Sequence, residues 1–367
     1  MKLVLFSDLH LDSAFSWMSG APGAARGRRQ ALRDTLLKIV DLTGEVKADA
    51  LLCGGDLYED ERFTPDTAAF LKSTFEQLHP IPVFISPGNH DWYGPQSLYH
   101  GVEWSPNVQI FDESHLRPVR LDDGLTLWGA AHLAPANTPG FLDGFKVDRG
   151  GIHLALFHGS ERGWFTEQGE VKAPHAPFDA AQIEAAGIHH AFLGHYHRPR
   201  DYERLTYPGN PDPLSFGEDG PRGAVVATVQ EDGSVHRERV TVAVTEVHDI
   251  TVDVTGTESQ QDIRARVQEA VETLQGVARV TLHGELAPEV DLRPRDLSSL
   301  ATILESLTVE VGDLYVAYNF EAIKDEATVR GEFVSQVTSS DLPEDEKQRV
   351  LVTGLRALDG REDLEVT

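Results

Sequence analysis

Cysteine is almost absent from this chain. Cys53 is the only one in 367 residues, which excludes an intrachain disulfide. It lies in the apolar run ALLCGG and reads as a buried small hydrophobe. Such sparing use fits a reducing compartment. Long apolar runs are missing as well. The opening stretch MKLVLFSDLH carries only a short one before Asp8, shorter than a signal-peptide core. No segment reaches the roughly 20 apolar residues of a membrane span. A cytoplasmic protein with no membrane partner is therefore expected. There is no internal repeat, no low-complexity tract and no long Gly/Ser linker. Positive charge is scarce, with 32 Lys and Arg against 59 Asp and Glu, a formal net charge of -27. A chain so acidic repels polyanions at long range, and composition alone argues against nucleic acid. The deficit is uneven. Residues 241 to 367 hold 26 acidic and 11 basic residues, a net of -15, against -12 for the longer part before them.

What is present is a globular composition, 40% hydrophobic and 25% charged, long enough for two or three domains. The first 240 residues alternate short apolar runs with helical patterns. Leu32, Leu36, Ile39 and Val40 share one face of a helix over 24–44. Thr64-Pro65 is an N-cap followed by proline at the first helical position, ahead of Ala68, Leu71, Phe75 and Leu78. Later runs (NVQIF, LTLWGAA, IHLALF, HHAFLG) read as strands, FDAAQIEAAG as a helix, and Asp232-Gly233 as a hairpin turn. The style changes near residue 246. HDITVDV, ARVTLHGEL and DLYVAYNFEAI read as strands, QQDIRARVQEAVETL and LSSLATILESL as helices. The division expected is a domain over 1–240, a small α+β domain over 246–330, and a helical tail over 331–367. In that tail Leu351, Leu355 and Leu358 form an apolar stripe that suits either a partner or the protein's own core.

Five apolar runs in the first 200 residues end in polar clusters. KLVLFS leads to Asp8 and His10, and ALLCGG to Asp56. VFISPG leads to Asn89, His90 and Asp91, IHLALF to His158, and HHAFLG to His195 and His197. Ligands of open α/β sheets bind beyond the carboxyl ends of the strands. Any one of these motifs alone is an ordinary turn. Five in succession, all ending in metal-type donors, point to one site. Mixed nitrogen and oxygen donors without thiolate suit manganese, iron, zinc or similar ions. Seven donors exceed one tetrahedral zinc and suit two divalent ions sharing a carboxylate. Such pairs stand about 3.5–4 Å apart and act on phosphoryl oxygens. Their charge lets an acidic chain hold a phosphate.

Together the stretches DLH, GGD, GNHD, FHG and GHYH, spanning residues 8 to 197, resemble the calcineurin-like metallophosphoesterases. DLHLDSAF and YPGNPDPLSFGE (207–218) are similar to the SbcD-type DNA-repair exonuclease branch. The resemblance implies an α/β (α+β) fold of two packed mixed sheets flanked by helices, followed by a small capping domain. It implies one ion on Asp8, His10, Asp56 and His197 and another on Asp56, Asn89, His158 and His195. Manganese is expected first, with iron, zinc or magnesium as alternatives. His90 would act on the scissile phosphate as general acid or transition-state donor. It also implies a coiled-coil ATPase partner of SbcC type, and it leaves a homodimer open. One departure matters. SbcD nucleases often carry histidine three residues after the GGD aspartate, whereas this chain has Glu59. Glu59 would either orient His90 or sit solvated in the charge run YEDER. Arg26, Arg28, Arg29 and Arg33, and Arg198, Arg200 and Arg204, lie close in sequence to the motifs. Either they track a phosphate backbone or they are ordinary surface charge.

A two-metal phosphodiesterase acting on DNA is the expectation. A small-molecule phosphatase or cyclic-nucleotide phosphodiesterase using the same site is the enzyme alternative, favoured by the net charge and Glu59. A docking protein on an inactive scaffold is disfavoured, because such a module has no use for all seven donors.

Overall fold

The computed structural model describes residues 1–18, 23–164, 174–300 and 303–361. They form two compact units, Met1–Glu246 and Val247–Thr367.

Among its described residues the first unit holds twelve strands in two six-stranded sheets. In chain order these are β1 (Lys2–Phe6), β2 (Ala50–Cys53), β3 (Val83–Ile85), β4 (Val108–Ile110), β5 (Arg117–Asp122), β6 (Leu125–Gly129), β7 (Ile152–His158), β8 (His190–Gly194), β9 (Arg200–Asp201), β10 (Leu205–Tyr207), β11 (Gly223–Val229) and β12 (Val235–Thr241). The first sheet runs β12-β11-β1-β2-β3-β4 and the second β5-β6-β7-β8-β10-β9. Strands β1 to β4 are mutually parallel, as are β6, β7, β8 and β10. Antiparallel strands close both edges of the second sheet and one edge of the first. This is the mixed two-sheet architecture expected.

Alternation along the strands builds the layers. Leu3, Leu5, Leu52 and Phe84 of the first sheet share one core with Leu127, Leu154, Leu156 and Phe192 of the second. The opposite face of the second sheet sends Ala155, Phe157, Ala191 and Leu193 into another core with Phe178, Ile183 and Ile188. Strands covered on both faces have no polar side to show, so they read as unbroken apolar runs. Each fully buried leucine contributes about 1.5–3 kcal/mol relative to exposure. The helix Ala24–Glu45 buries Leu32, Leu36, Ile39 and Val40. The helix Pro65–Glu76 starts as expected, with the Thr64 side chain accepting from Thr67 N–H. Cys53 is buried. Strand β5 was not anticipated, because RPVRLD is half exposed and has no apolar run.

The second unit has a parallel sheet of β13 (Val247–Asp253), β14 (Val277–Leu286) and β15 (Ser306–Val316). Ile263, Val267 and Val271 of the helix Gln260–Val271 pack with Val280 and Leu282. The helix expected over 297–307 is not seen among the described residues of that stretch; residues 301 and 302 lie outside them. Helical structure covers Pro294–Leu297, and β15 begins at Ser306. Leu307, Val309 and Val311 alternate with polar residues, a period of two that suits a strand. The strand expected over 313–323 stops at Val316. Asn319 then caps the helix Phe320–Lys324, its side chain accepting from Ala322 N–H. The helix Glu344–Leu358 buries Leu351 and Leu355 in the core of this unit, while Leu358 is half exposed. The stripe therefore belongs mainly to the protein's own core. Residues 362–367 of the expected tail lie outside the described residues. No described helix is long and apolar enough to cross a membrane.

Candidate metal centre

The register brings the motif-bearing strands to one level. Phe6 lies beside Cys53 and Cys53 beside Ile85 in the first sheet, and His158 lies beside Gly194 in the second. Asp8, Asp56 and Asn89 thus leave one sheet at the same end, while His158 and His195 leave the other. Glycine lets the two rims meet. A Cβ on Gly194 would overlap the Gly54 carbonyl oxygen, and one on Gly54 would lie 3.0 Å from Gly194 N. Glycine in GGD and GHYH is therefore a requirement of close backbone approach.

The turns after the strands are unusual. Asp8, His10 and Asp56 are left-handed, with φ of 54°, 50° and 51°, and His195 has φ of 113°. Such backbones cost about 1–3 kcal/mol each and persist only where neighbours over-determine them. Here the turns tie one another down. Asp8 N donates to Gly55 O and His10 N to Asp56 O, both at 2.9 Å, and His195 N donates to Asp8 Oδ1 at 3.0 Å.

The donors gather around two buried carboxylates. Asp8, His10 and His197 form one group whose ligand atoms lie within 4.8 Å of one another; Asp8, Asp56 and His158 form another; His10, Asp56 and His90 a third. Asp56 Oδ2 is 3.3 Å from His158 Nε2 and 3.6 Å from His10 Nε2. His10 Nε2, His158 Nε2 and Asn89 Oδ1 are buried without a hydrogen-bond partner. Buried polar atoms are normally satisfied, and orphans at His10 and His158 grouped with two carboxylates, with a third on Asn89, fit divalent metal ions.

The far sides of the rings are occupied. His10 Nδ1 bonds Glu59 Oε1 at 2.7 Å, His158 Nδ1 donates to Gly54 O at 2.9 Å, and His197 Nδ1 bonds Glu218 Oε1 at 2.8 Å. Partners at Nδ1 fix each ring with Nε2 left to coordinate. Glu59 bridges two imidazoles, because its Oε2 also lies 3.0 Å from His90 Nδ1. That bond, against opposing burial, pushes His90 up to about 9. Burial opposes charge on His158, but Asp56 beside it prevails and raises it to about 9. Burial likewise opposes ionisation of Asp56, and His158 and His10 hold it well below the usual carboxylate range.

All seven candidate ligands stand at this rim. The His195 ring lies 5.3 Å from that of His158, centre to centre, outside the three tight groups. Tyr196 turns away and donates to Glu161 O. Glu59 is not part of a solvated charge run; it is built into the centre. The arginines divide. Arg28 is not available to a phosphate: it is fully buried, and Nη2 donates to Asp212 Oδ1 at 3.0 Å. Arg26 is exposed and Arg29 half-buried on the same helix, and Arg198 is exposed beside His197.

The roles of three residues escaped sequence reasoning. Asp91 accepts from Gly88, Asp56 and Leu57 N–H and from Tyr99 O–H, pinning the turns on either side of the centre. His132 Nε2 bonds His158 O at 2.8 Å. Glu218 had no signal of its own beyond lying in the stretch YPGNPDPLSFGE.

The profile of calcineurin-like phosphoesterases matches residues 1–199. A metallophosphoesterase of Bacillus subtilis (strain 168), YhaO, described as uncharacterised, is 26% identical over 268 residues, 67% of this chain and 64% of its own length. The DNA double-strand break repair protein Mre11 of Methanopyrus kandleri is 25% identical over 300 residues, 73% of this chain and 62% of that protein. The chain spans a little under two thirds of the length of these relatives. The matched residues take in more than half of the sequence and every candidate ligand from Asp8 to His197, and the chain belongs to the calcineurin-like phosphoesterase family.

Proposed function

We propose that this chain hydrolyses phosphodiester bonds with two divalent metal ions, and that its substrate is DNA. The observation that carries the metal assignment is the pair of unpartnered buried donors His10 Nε2 and His158 Nε2 grouped with Asp8 and Asp56, with Asn89 Oδ1 a third buried donor left without a partner. Asp8, His10, Asp56 and His197 would hold one ion, and Asp56, Asn89, His158 and His195 the other. Bound there, the pair supplies Lewis acidity toward a phosphoryl group and a hydroxide nucleophile at neutral pH. Manganese is the ion we expect, with iron, zinc and magnesium as alternatives.

His90 is the acid of this scheme. Its ring is about half exposed, and Glu59 occupies Nδ1. Nε2–H is then the donor left for a phosphoryl or leaving oxygen. Glu59 serves both His90 and the ligand His10, so the two imidazoles are positioned by one carboxylate.

DNA is favoured by the likeness to a DNA double-strand break repair protein and by exposed Arg198 next to His197. Arg26 and Arg29 are further candidates for backbone contacts. A coiled-coil ATPase partner of SbcC type rests on the sequence resemblance alone. A small-molecule phosphatase or cyclic-nucleotide phosphodiesterase is the second reading, favoured by the Glu59–His90 pair and the net charge of -27. Manganese-loaded protein offered linear duplex, single-stranded DNA, cyclic nucleotides, and a chromogenic monoester and diester separates the two. Degradation of DNA supports the proposal. Turnover of monoester or cyclic nucleotide with DNA left intact would move the assignment to the second reading.

A further inference from the structure

The stretch YPGNPDPLSFGE (207–218) lies beyond the last candidate ligand, yet it folds back onto His197. We propose that Glu218 is a positioning residue that sets the His197 tautomer, and with it the affinity of one of the two metal sites; the metal part rests on the two-ion reading above.

The stretch is anchored at several points. Asp212 is fully buried and accepts from Arg28 Nη2 and Thr35 Oγ1, both at 3.0 Å, and from Val244 N at 2.8 Å. Trp17 Nε1 donates to Leu214 O at 3.0 Å and its ring packs on Phe216. Arg222 Nη1 donates to His197 O at 2.5 Å and also to Asn210 Oδ1, while its Nε donates to Glu218 O. Asn210 N donates to His197 O at 3.1 Å. A Cβ on Gly209 would stand 2.5 Å from that same carbonyl oxygen, so this close approach needs glycine.

The carboxylate of Glu218 is held on both sides. Oε2 accepts from Asn210 Nδ2 at 2.5 Å and from Leu214 N at 2.7 Å. Oε1 lies 2.8 Å from His197 Nδ1. An ionised carboxylate only accepts, so the proton of a neutral His197 must sit on Nδ1. Nε2 then carries the lone pair. A ligating imidazole needs this arrangement, and the group at its other nitrogen decides it. His10 has Glu59 for the same purpose and His158 has the Gly54 carbonyl. The His197 side chain is 26% exposed, and so has water to compete for its ring.

Substitution by glutamine gives a sharp contrast. Asn210 Nδ2 and Leu214 N are both donors and demand the amide oxygen of the new side chain where Oε2 of Glu218 now sits. The amide NH2 then faces His197 Nδ1, which must accept, and the proton moves to Nε2. Glu218→Gln should therefore be worse for metal than Glu218→Ala, although it is the smaller change. A purely structural cap predicts the reverse order.

The test compares wild type, Glu218→Gln and Glu218→Ala by three measurements. The ¹⁵N shifts of the His197 ring in metal-free protein should report Nδ1–H in wild type and Nε2–H in Glu218→Gln. Manganese titration followed by electron paramagnetic resonance should find two sites in wild type. In Glu218→Gln one should be weakened about 10–100-fold, the usual range for such partners, with the other kept. Melting of the metal-free proteins should stay close to wild type. An unmoved tautomer, unchanged manganese affinity, a milder effect for Gln than for Ala, or unfolding of both variants each overturns the proposal. Wild type binding fewer than two ions would sink the two-ion reading instead, and the tautomer measurement would still decide the role of Glu218.

Discussion

Replacing Gly194 by alanine tests whether the two sheets must touch for the centre to exist. The added Cβ would overlap the Gly54 carbonyl oxygen and lie 2.8 Å from His158 Nδ1. Both neighbours are inflexible, one being backbone and the other a ring held in the core. The rims must separate by roughly 1 Å, since interiors this dense leave no slack. Overpacking of this kind costs about 1–3 kcal/mol. The same movement breaks the 2.9 Å bond from His158 Nδ1 to Gly54 O, worth about 1 kcal/mol more. A loss of about 2–4 kcal/mol in a unit of this size lowers the melting temperature by roughly 5–15 °C. Manganese affinity should fall about 10–100-fold, because His158 loses the partner that orients it. Calorimetry of metal-free protein and a manganese titration read the two effects. Gly44→Ala is the control: it lies in the helix Ala24–Glu45 with nothing within 4 Å of its added Cβ, and should be neutral or slightly stabilising. A Gly194→Ala protein that melts within about 2 °C of wild type and binds manganese as tightly would refute the close-approach reasoning.

Other consequences can be checked separately. His90→Ala should keep both metals and lose about 10²–10⁴ in turnover, the range for a lost general acid or base; metals lost along with activity would make His90 a ligand. Alanine at Arg26, Arg29 and Arg198 together should weaken DNA binding and flatten its salt dependence by roughly one unit of slope per lost contact, sparing a chromogenic diester. Arg28→Ala should instead destabilise the fold by leaving Asp212 without its buried partner, which thermal melting would show. His158 is raised to about 9 in the metal-free centre, so at pH 7 it carries a proton that it must release to coordinate. Manganese affinity should therefore rise with pH between 7 and 9, and loading in weak buffer should acidify the solution; pH-independent affinity would contradict this.

The centre was legible because strand ends are marked twice, by an apolar run that stops and by the polar residues that follow. Asp8, Asp56, His158 and His195 each follow a run whose length fixes where the strand ends. Glu59 could be placed only as either solvated or catalytic, since nothing local reveals that its carboxylate bridges His10 and His90. Arg28 looked like its neighbours Arg26 and Arg29 because a helix turns one residue inward by its phase, and its partner Asp212 lies 184 residues away. Glu218 and Asp91 act through backbone amides and ring nitrogens rather than through substrate, and that role leaves no pattern in the sequence. In the second unit, leucines at 297, 300, 304 and 307 mimic a helical repeat, whereas the parallel pairing of β14 with β15 settles the later ones as strand. Short apolar runs do not distinguish the two by period alone.

The most direct test of the two-ion centre is a count of manganese per chain, made on wild type and on Asp56→Asn together with hydrolysis of a chromogenic diester. Asp56 Oδ2 stands between the Nε2 atoms of His10 and His158, so its carboxylate should serve both ions. Two ions per wild-type chain are expected, with both weakened and hydrolysis lost in the variant. Two tightly held ions in Asp56→Asn, or full hydrolysis by wild type after exhaustive chelation, would contradict it.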